Sequence, residues 1–124
     1  MAYDADLVER VREKLRTTEG VTELRMFGGW GVSVHGNMAV GVMRDDLIVR
    51  VGADEYPAAL QRRGARPFDF TGRPLTGWVY VEADTVRNGR TLGAWISRGV
   101  AFAQSLPPKA QSRKARRAPA RRSG

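Results

Sequence analysis

The chain opens with apolar residues at helical spacing, and polar residues occupy the positions between them. One face carries Leu7, Val8, Val11 and Leu15. This spacing predicts an amphipathic helix over about residues 5–17. Asp6 has capping-box spacing to Glu9, and Asp4 is a second candidate for the cap. Gly20 suits the left-handed position just past the end of the helix.

A run of short, partly alternating segments follows, and turn signals separate them. The predicted strands cover residues 21–27, 30–35, 38–43, 47–51 and 78–82. Gly36-Asn37 is a signal for a two-residue hairpin turn. The first four strands are joined by connections too short for parallel crossovers. The pattern therefore predicts an antiparallel meander in a sheet of about five strands.

Two further helices are predicted, over residues 54–63 and 88–105, with residues 65–76 irregular between helix and strand. Asp54 is the expected cap of the first and Gly64 its end. The apolar face of the last helix carries Leu92, Trp95, Ile96, Gly99, Ala103 and Leu106. The fold class is therefore α+β, with an antiparallel sheet flanked by an N-terminal helix, a C-terminal helix and a short middle helix.

The charge is concentrated at the C-terminal end. The net charge of the 124 residues is +8, yet residues 1–106 hold 14 basic and 13 acidic side chains. Residues 107–124 contain no acid and seven cations: Lys109, Arg113, Lys114, Arg116, Arg117, Arg121 and Arg122. Apart from three prolines, no apolar side chain there is larger than alanine, so this segment cannot bury enough surface to offset its ordering entropy. We expect one domain over residues 1–106 and a disordered basic tail over residues 107–124.

The composition excludes several classes of site. The chain has no cysteine, which rules out disulfides, cysteine-based zinc sites and thiol nucleophiles. Neither a secretory signal nor a run of about 18 apolar residues is present, so we expect a cytoplasmic protein. His35 is the single histidine and adjoins a predicted turn, which indicates an exposed hairpin residue. With no diagnostic catalytic or metal-binding spacing, the sequence predicts no enzyme, no metal and no cofactor.

The glycine-rich segment around Trp30 matches neither phosphate-loop nor dinucleotide-binding spacing. It indicates a bulge or a tight connection between strands, or a surface that presents Trp30 to a partner. The acidic pairs Asp45-Asp46 and Asp54-Glu55 have local explanations in a turn and at a helix start. Two phenylalanines, Phe68 and Phe70, either pack on the sheet or line a contact surface.

Ordered sequence motifs resemble the TfoX N-terminal domain family. They include Met26-Phe27-Gly28-Gly29-Trp30-Gly31, Gly36-Asn37-Met38, Ala65-Arg66-Pro67-Phe68 and Thr71-Gly72-Arg73-Pro74. The resemblance spans roughly residues 7–106 and implies an α+β domain. Longer relatives are competence regulators that act at promoters and carry a further C-terminal domain, so the resemblance implies a stand-alone N-terminal domain here. The candidate partner surface consists of Met26, Phe27, Gly28, Gly29, Trp30, Gly31, Arg66, Pro67 and Phe68.

The leading hypothesis is a non-enzymatic regulatory module that engages a protein partner, with a transcription-related protein as the candidate. Its tail would add weak, non-specific affinity for nucleic acid, because clustered cations attract polyphosphate. A passive solubilising tail is the alternative. A rival hypothesis is a small-molecule binder or enzyme with a cleft between residues 28–31 and 65–76, using Arg25, Arg66 and Asp69. A third is a homodimer joined through a sheet edge or face.

Overall fold

A computed structural model describes residues 3–26, 28–69 and 72–109. Its elements are, in chain order, α1 (Ala5–Lys14), β1 (Val21–Met26), β2 (Gly29–Val34), β3 (Asn37–Met43), β4 (Asp46–Arg50), α2 (Tyr56–Leu60), β5 (Ala65–Pro67), β6 (Trp78–Val81), a short 3₁₀ helix (Thr85–Arg87) and α3 (Gly89–Ser105). The predicted α+β class is confirmed.

The strands form one six-stranded sheet in the order β1-β2-β3-β4-β6-β5, and every neighbouring pair is antiparallel. The predicted meander is confirmed for β1 to β4. The expected count of about five strands was one too low, because residues 65–67 pair with β6 instead of remaining irregular. Pro67 ends this strand, because proline has no backbone N–H to donate. The strand is therefore only three residues long, and its sequence shows no alternation from which a strand could be predicted.

The main core lies between one face of the sheet and the helices. Alternate residues of the central strands point into it, as Val40, Val42, Leu47, Val49, Val79 and Val81 do with no exposed area. From α1 it receives Leu7, Val8, Val11 and the following Leu15, and from α3 it receives Leu92, Trp95, Ile96 and Ala103. These are the apolar faces that helical spacing predicted.

A smaller cluster occupies the opposite face of the sheet. It consists of Met43, Ile48, Phe68 and Tyr80, with Trp78 packed against it. The rings of Phe68 and Tyr80 meet edge to face with centroids 4.9 Å apart. The packing interpretation of Phe68 is therefore confirmed, whereas Phe70 lies outside the described residues.

The ends of α1 follow local hydrogen bonds. Asp4 is the N-cap, and its carboxylate accepts from the N–H groups of Asp6 and Leu7. The helix ends at Lys14, about three residues earlier than predicted, and residues 15–17 form turns. Gly20 has φ of +77°, as expected for a residue past the helix end.

The β2–β3 turn differs from the prediction by one residue. His35 and Gly36, with φ of 51° and 84°, form the turn, and Asn37 begins β3. Asn37 is 1% exposed, and its amide donates to the carbonyls of Pro107 at 3.0 Å and Ala103 at 3.5 Å. The Asn37 side chain is thus used to fix the end of α3 and not to form the turn.

The other two helices also show how the caps work. Asp54 does not cap α2, whose N-cap is Glu55 without a side-chain hydrogen bond. Asn88 caps α3 by accepting from the N–H of Thr91 at 3.0 Å.

In the described ranges, no helix is long and apolar enough to cross a membrane.

Candidate functional site

The glycine-rich motif forms the β1–β2 hairpin. Met26 pairs with Gly29, so only two residues connect the strands. Gly28 is one of them and has φ of +80°, a conformation that glycine adopts without the strain a side chain brings. The predicted tight strand connection is confirmed. Phe27, its other residue, lies outside the described residues.

The next glycines allow β2 to approach its neighbour closely. Gly29 and Gly31 are buried within the strand. A Cβ at Gly29 would collide with the backbone carbonyl of Val42 on β3. The glycine at this position is therefore required by backbone packing, and its own conformation is ordinary.

Trp30 is 6% exposed and belongs to the main core. Its indole N–H donates to the Glu23 carboxylate at 3.0 Å. The expectation that the motif presents Trp30 to a partner is wrong, because the ring lies on the helix side of the sheet. Burying this large ring explains its place in the motif by packing.

Arg12 completes a three-residue cluster that joins α1 to the hairpin. Its guanidinium donates to Glu23 at 2.8 Å and 2.7 Å and lies 5.7 Å from the centroid of the Trp30 ring. Glu9 pairs with the same guanidinium. Arg12 and Glu23 carry opposite charges, but they are eleven positions apart, and no pattern in the sequence predicts that they pair.

The electrostatic interactions in this cluster shift the pKa values of both charged groups, Arg12 and Glu23. The hydrogen bond from Arg12 lowers the pKa of the Glu23 carboxyl, with a further contribution from Trp30, while partial burial opposes the shift. The same contact raises the pKa of Arg12 above its ordinary value. Both groups are therefore held in their charged forms, which suits a structural ion pair and not proton transfer.

The second motif, Arg66-Pro67-Phe68, lies at the other edge of the sheet. The Arg66 guanidinium contacts Asp46 at 3.0 Å and Glu82 at 3.4 Å, and it lies 4.8 Å from the centroid of Tyr80. Phe68 is 1% exposed, so it is not available as a contact surface. Pro67 is exposed on the edge strand.

The two segments expected to line a cleft, residues 28–31 and 65–76, do not lie on neighbouring strands. β2 and β5 are separated by β3, β4 and β6 in the sheet. At strand spacings of about 4.8 Å, β2 and β5 lie about 19 Å apart, whereas Phe68, just after β5, packs in one cluster with Met43 of β3. Arg25 on β1 is thus remote from Arg66, and the exposed Asp69 follows β5. The strand order therefore gives no support to a cleft in which Arg25 and Arg66 act together.

Arg50 is a half-buried cation held by aromatic rings. Its guanidinium lies 5.6 Å from the Trp78 centroid and 5.2 Å from that of Phe102. Burial lowers its pKa. Cation–π contacts offset part of the cost of removing the charge from water. This arrangement ties the end of β4 to α3.

A cleft with a volume of about 510 Å³ lies beside the start of α3. Its charged lining residues are Arg62, Arg63, Glu82 and Asp84. Because two cations face two anions, the lining favours neither sign of ligand. Within the described ranges, no three metal-binding side chains lie together. His35 is exposed in its hairpin, as predicted.

The basic tail is described only at its beginning. The backbone N–H of Lys109 donates to the His35 carbonyl at 2.8 Å, and Pro107 accepts from Asn37. The chain is thus hydrogen-bonded to the β2–β3 turn through residue 109, three residues beyond the boundary drawn from the sequence. The other six predicted nucleic-acid-binding residues lie outside the described residues: Arg113, Lys114, Arg116, Arg117, Arg121 and Arg122.

Comparison with known families identifies a family that matches most of the chain. The sequence model described as TfoX N-terminal domain matches residues 13–103. The matched range runs from α1 into α3 and therefore covers the whole sheet. No curated protein matches the chain significantly.

Proposed function

The chain belongs to the TfoX N-terminal domain family, and from this membership we propose that it is a regulatory binding module and not an enzyme. The match over residues 13–103 carries the proposal. The use of the family motifs supports it: Trp30 and Phe68 pack, Gly28 turns the chain, and Arg66 joins strands. These residues stabilise the fold, so we assign binding to the domain surface and to the tail.

We assign different binding roles to the domain and to the tail because the two differ in charge. The domain is close to neutral over residues 1–106, and the tail holds seven cations without an acid. The tail would give weak, non-specific and salt-sensitive affinity for nucleic acid. A protein partner, involved in transcription as in longer members of the family, would contact the neutral domain. A cytoplasmic location belongs to the same proposal.

The test is fluorescence anisotropy of a labelled DNA duplex with the full chain and with a tail-neutralised full chain. The variant replaces all seven tail cations by glutamine and leaves the backbone bond of Lys109 to His35 in place. We expect the wild-type chain to bind at low salt and the variant to lose this binding, because counterion release requires the cations.

A control variant replaces Arg62, Arg63 and Arg90 by glutamine, which removes three positive charges where the tail variant removes seven. These are exposed domain cations that form no ion pair among the described residues. We expect this control to bind nearly as the wild type does. Undiminished binding by the tail-neutralised chain, or a larger loss in the control, would assign the affinity to the domain.

A further inference from the structure

β1 is an open edge of the sheet. Among the strands that the structure describes it pairs only with β2, and four of its residues in a row, Thr22 to Arg25, are exposed. Leu24 is 36% exposed and is one of two exposed large hydrophobic side chains in the described ranges. The opposite edge differs, because β5 has three residues and contains a proline, which has no N–H to donate.

The hairpin register determines which backbone groups of β1 are free. With two residues between Met26 and Gly29, this closing pair is a hydrogen-bonded one. Such pairs alternate in an antiparallel ladder, so the even-numbered residues of β1 bond to β2. The bond from the His35 N–H to the Gly20 carbonyl, 2.9 Å long, agrees with this parity. The N–H and C=O groups of Val21, Glu23 and Arg25 therefore point outward.

We propose that β1 pairs antiparallel with β1 of a second copy of this chain, with Leu24 on the two-fold axis. In this register Glu23 lies opposite the partner's Arg25, and the outward backbone groups of both residues can bond across the interface. The two carboxylate–guanidinium pairs share the helix side of the sheet. Leu24 meets the partner's Leu24 on the other side.

Charge selects this register from its neighbours. Only pairings that place odd-numbered residues opposite one another satisfy the outward groups. Centring the axis on Glu23 or on Arg25 would place like charges directly opposite, which is destabilising. Centring it on Thr22 would pair Glu23 with the partner's Val21 and shorten the overlap to three residues of the strand. Leu24 is thus the centre that gives both opposite-charge pairs and a longer overlap.

The occupant is a second copy because the strand is complementary to itself. Glu23 and Arg25 are two positions apart on one face, and antiparallel pairing with a two-fold axis between them matches each with its opposite. Arg25 forms no ion pair within the described part of its own chain, so its guanidinium is available. Glu23 is held in its charged form by Arg12.

The test is sedimentation equilibrium of the full chain over a range of concentrations, at low salt. We expect a reversible dimer of twice the 13.7 kDa chain mass. Arg25→Glu should weaken dimerisation by about tenfold or more, because both cross-strand pairs become repulsive. Arg25→Pro should abolish it, because it removes an outward N–H and keeps the bonds of β1 to β2.

Arg90→Glu is the matched control, since it makes the same charge change at an exposed position of α3. It should dimerise as the wild type does. Circular dichroism and thermal unfolding establish that each variant is folded, and Arg25→Glu changes a side chain without described ion pairs. A wild-type chain that stays monomeric at all concentrations overturns the proposal. So does a dimer that both Arg25 variants leave unchanged.

Discussion

Trp30 lies in the core because its neighbours satisfy its one polar group. The indole N–H reaches Glu23, and Glu23 in turn is held by Arg12 from α1. The sequence predicted the tight hairpin from its glycines but assigned the tryptophan to a surface. The error has a physical cause: the ion pair that covers the ring comes from a helix eleven residues away, which no local pattern reveals.

The pH dependence of stability tests this cluster. Folding lowers the pKa of Glu23, so its contribution is present above the ordinary value of 4.5 and is lost as pH falls through the lower folded-state value. We expect wild type to be more stable than Glu23→Gln near neutral pH. The difference should shrink as the solution becomes acidic. Chemical denaturation at a series of pH values measures it.

Glu19→Gln is the control for that series, because Glu19 is exposed and forms no described ion pair. Its difference from wild type should be small over the same pH range. A Glu23→Gln difference that stays constant with pH would show that the carboxylate charge does not stabilise the fold through Arg12.

At the scale of elements, α3 shows that the helical spacing of apolar residues predicts which face of a helix is buried. Its apolar face was predicted correctly, and Gly99 on that face is buried. A Cβ there would lie 2.5 Å from the Ala39 carbonyl oxygen of β3. Gly93, on the same helix, would meet only the flexible side chain of Lys14, at 3.6 Å.

These two glycines form a matched pair for mutation. Gly93→Ala should raise the free energy of unfolding by about 0.5–1 kcal/mol, since alanine favours the helix. Gly99→Ala should lower it by about 1–3 kcal/mol, because backbone must move to admit the methyl group. Urea denaturation of both variants measures the difference. Equal stabilisation by both would show that α3 does not press against β3.

Turns and short strands were the less predictable elements. Asn37 was assigned to a turn by its residue type, but its amide instead bonds to Ala103 and Pro107, far away in sequence. β5 was missed because three residues ending in proline give no alternation to recognise. In both cases the deciding contacts come from segments that only the fold brings together.

For the whole molecule, the sequence predicted the α+β class and the antiparallel meander, but not the order β4-β6-β5. That order places three strands between β2 and β5, the strands of the two family motifs. It also leaves β1 as the long open edge. The order of strands in a sheet depends on which strands pair with each other. The alternation of apolar and polar residues within one strand does not show which strand it pairs with.

We propose that the neutral domain is a binding scaffold and that nucleic-acid affinity belongs to the tail. The most direct test is the salt dependence of duplex binding by the full chain. If all seven tail cations engage phosphates, log K should fall against log salt with a slope of about −6. A slope near zero, or the same steep slope after the tail cations are replaced by glutamine, would contradict the account.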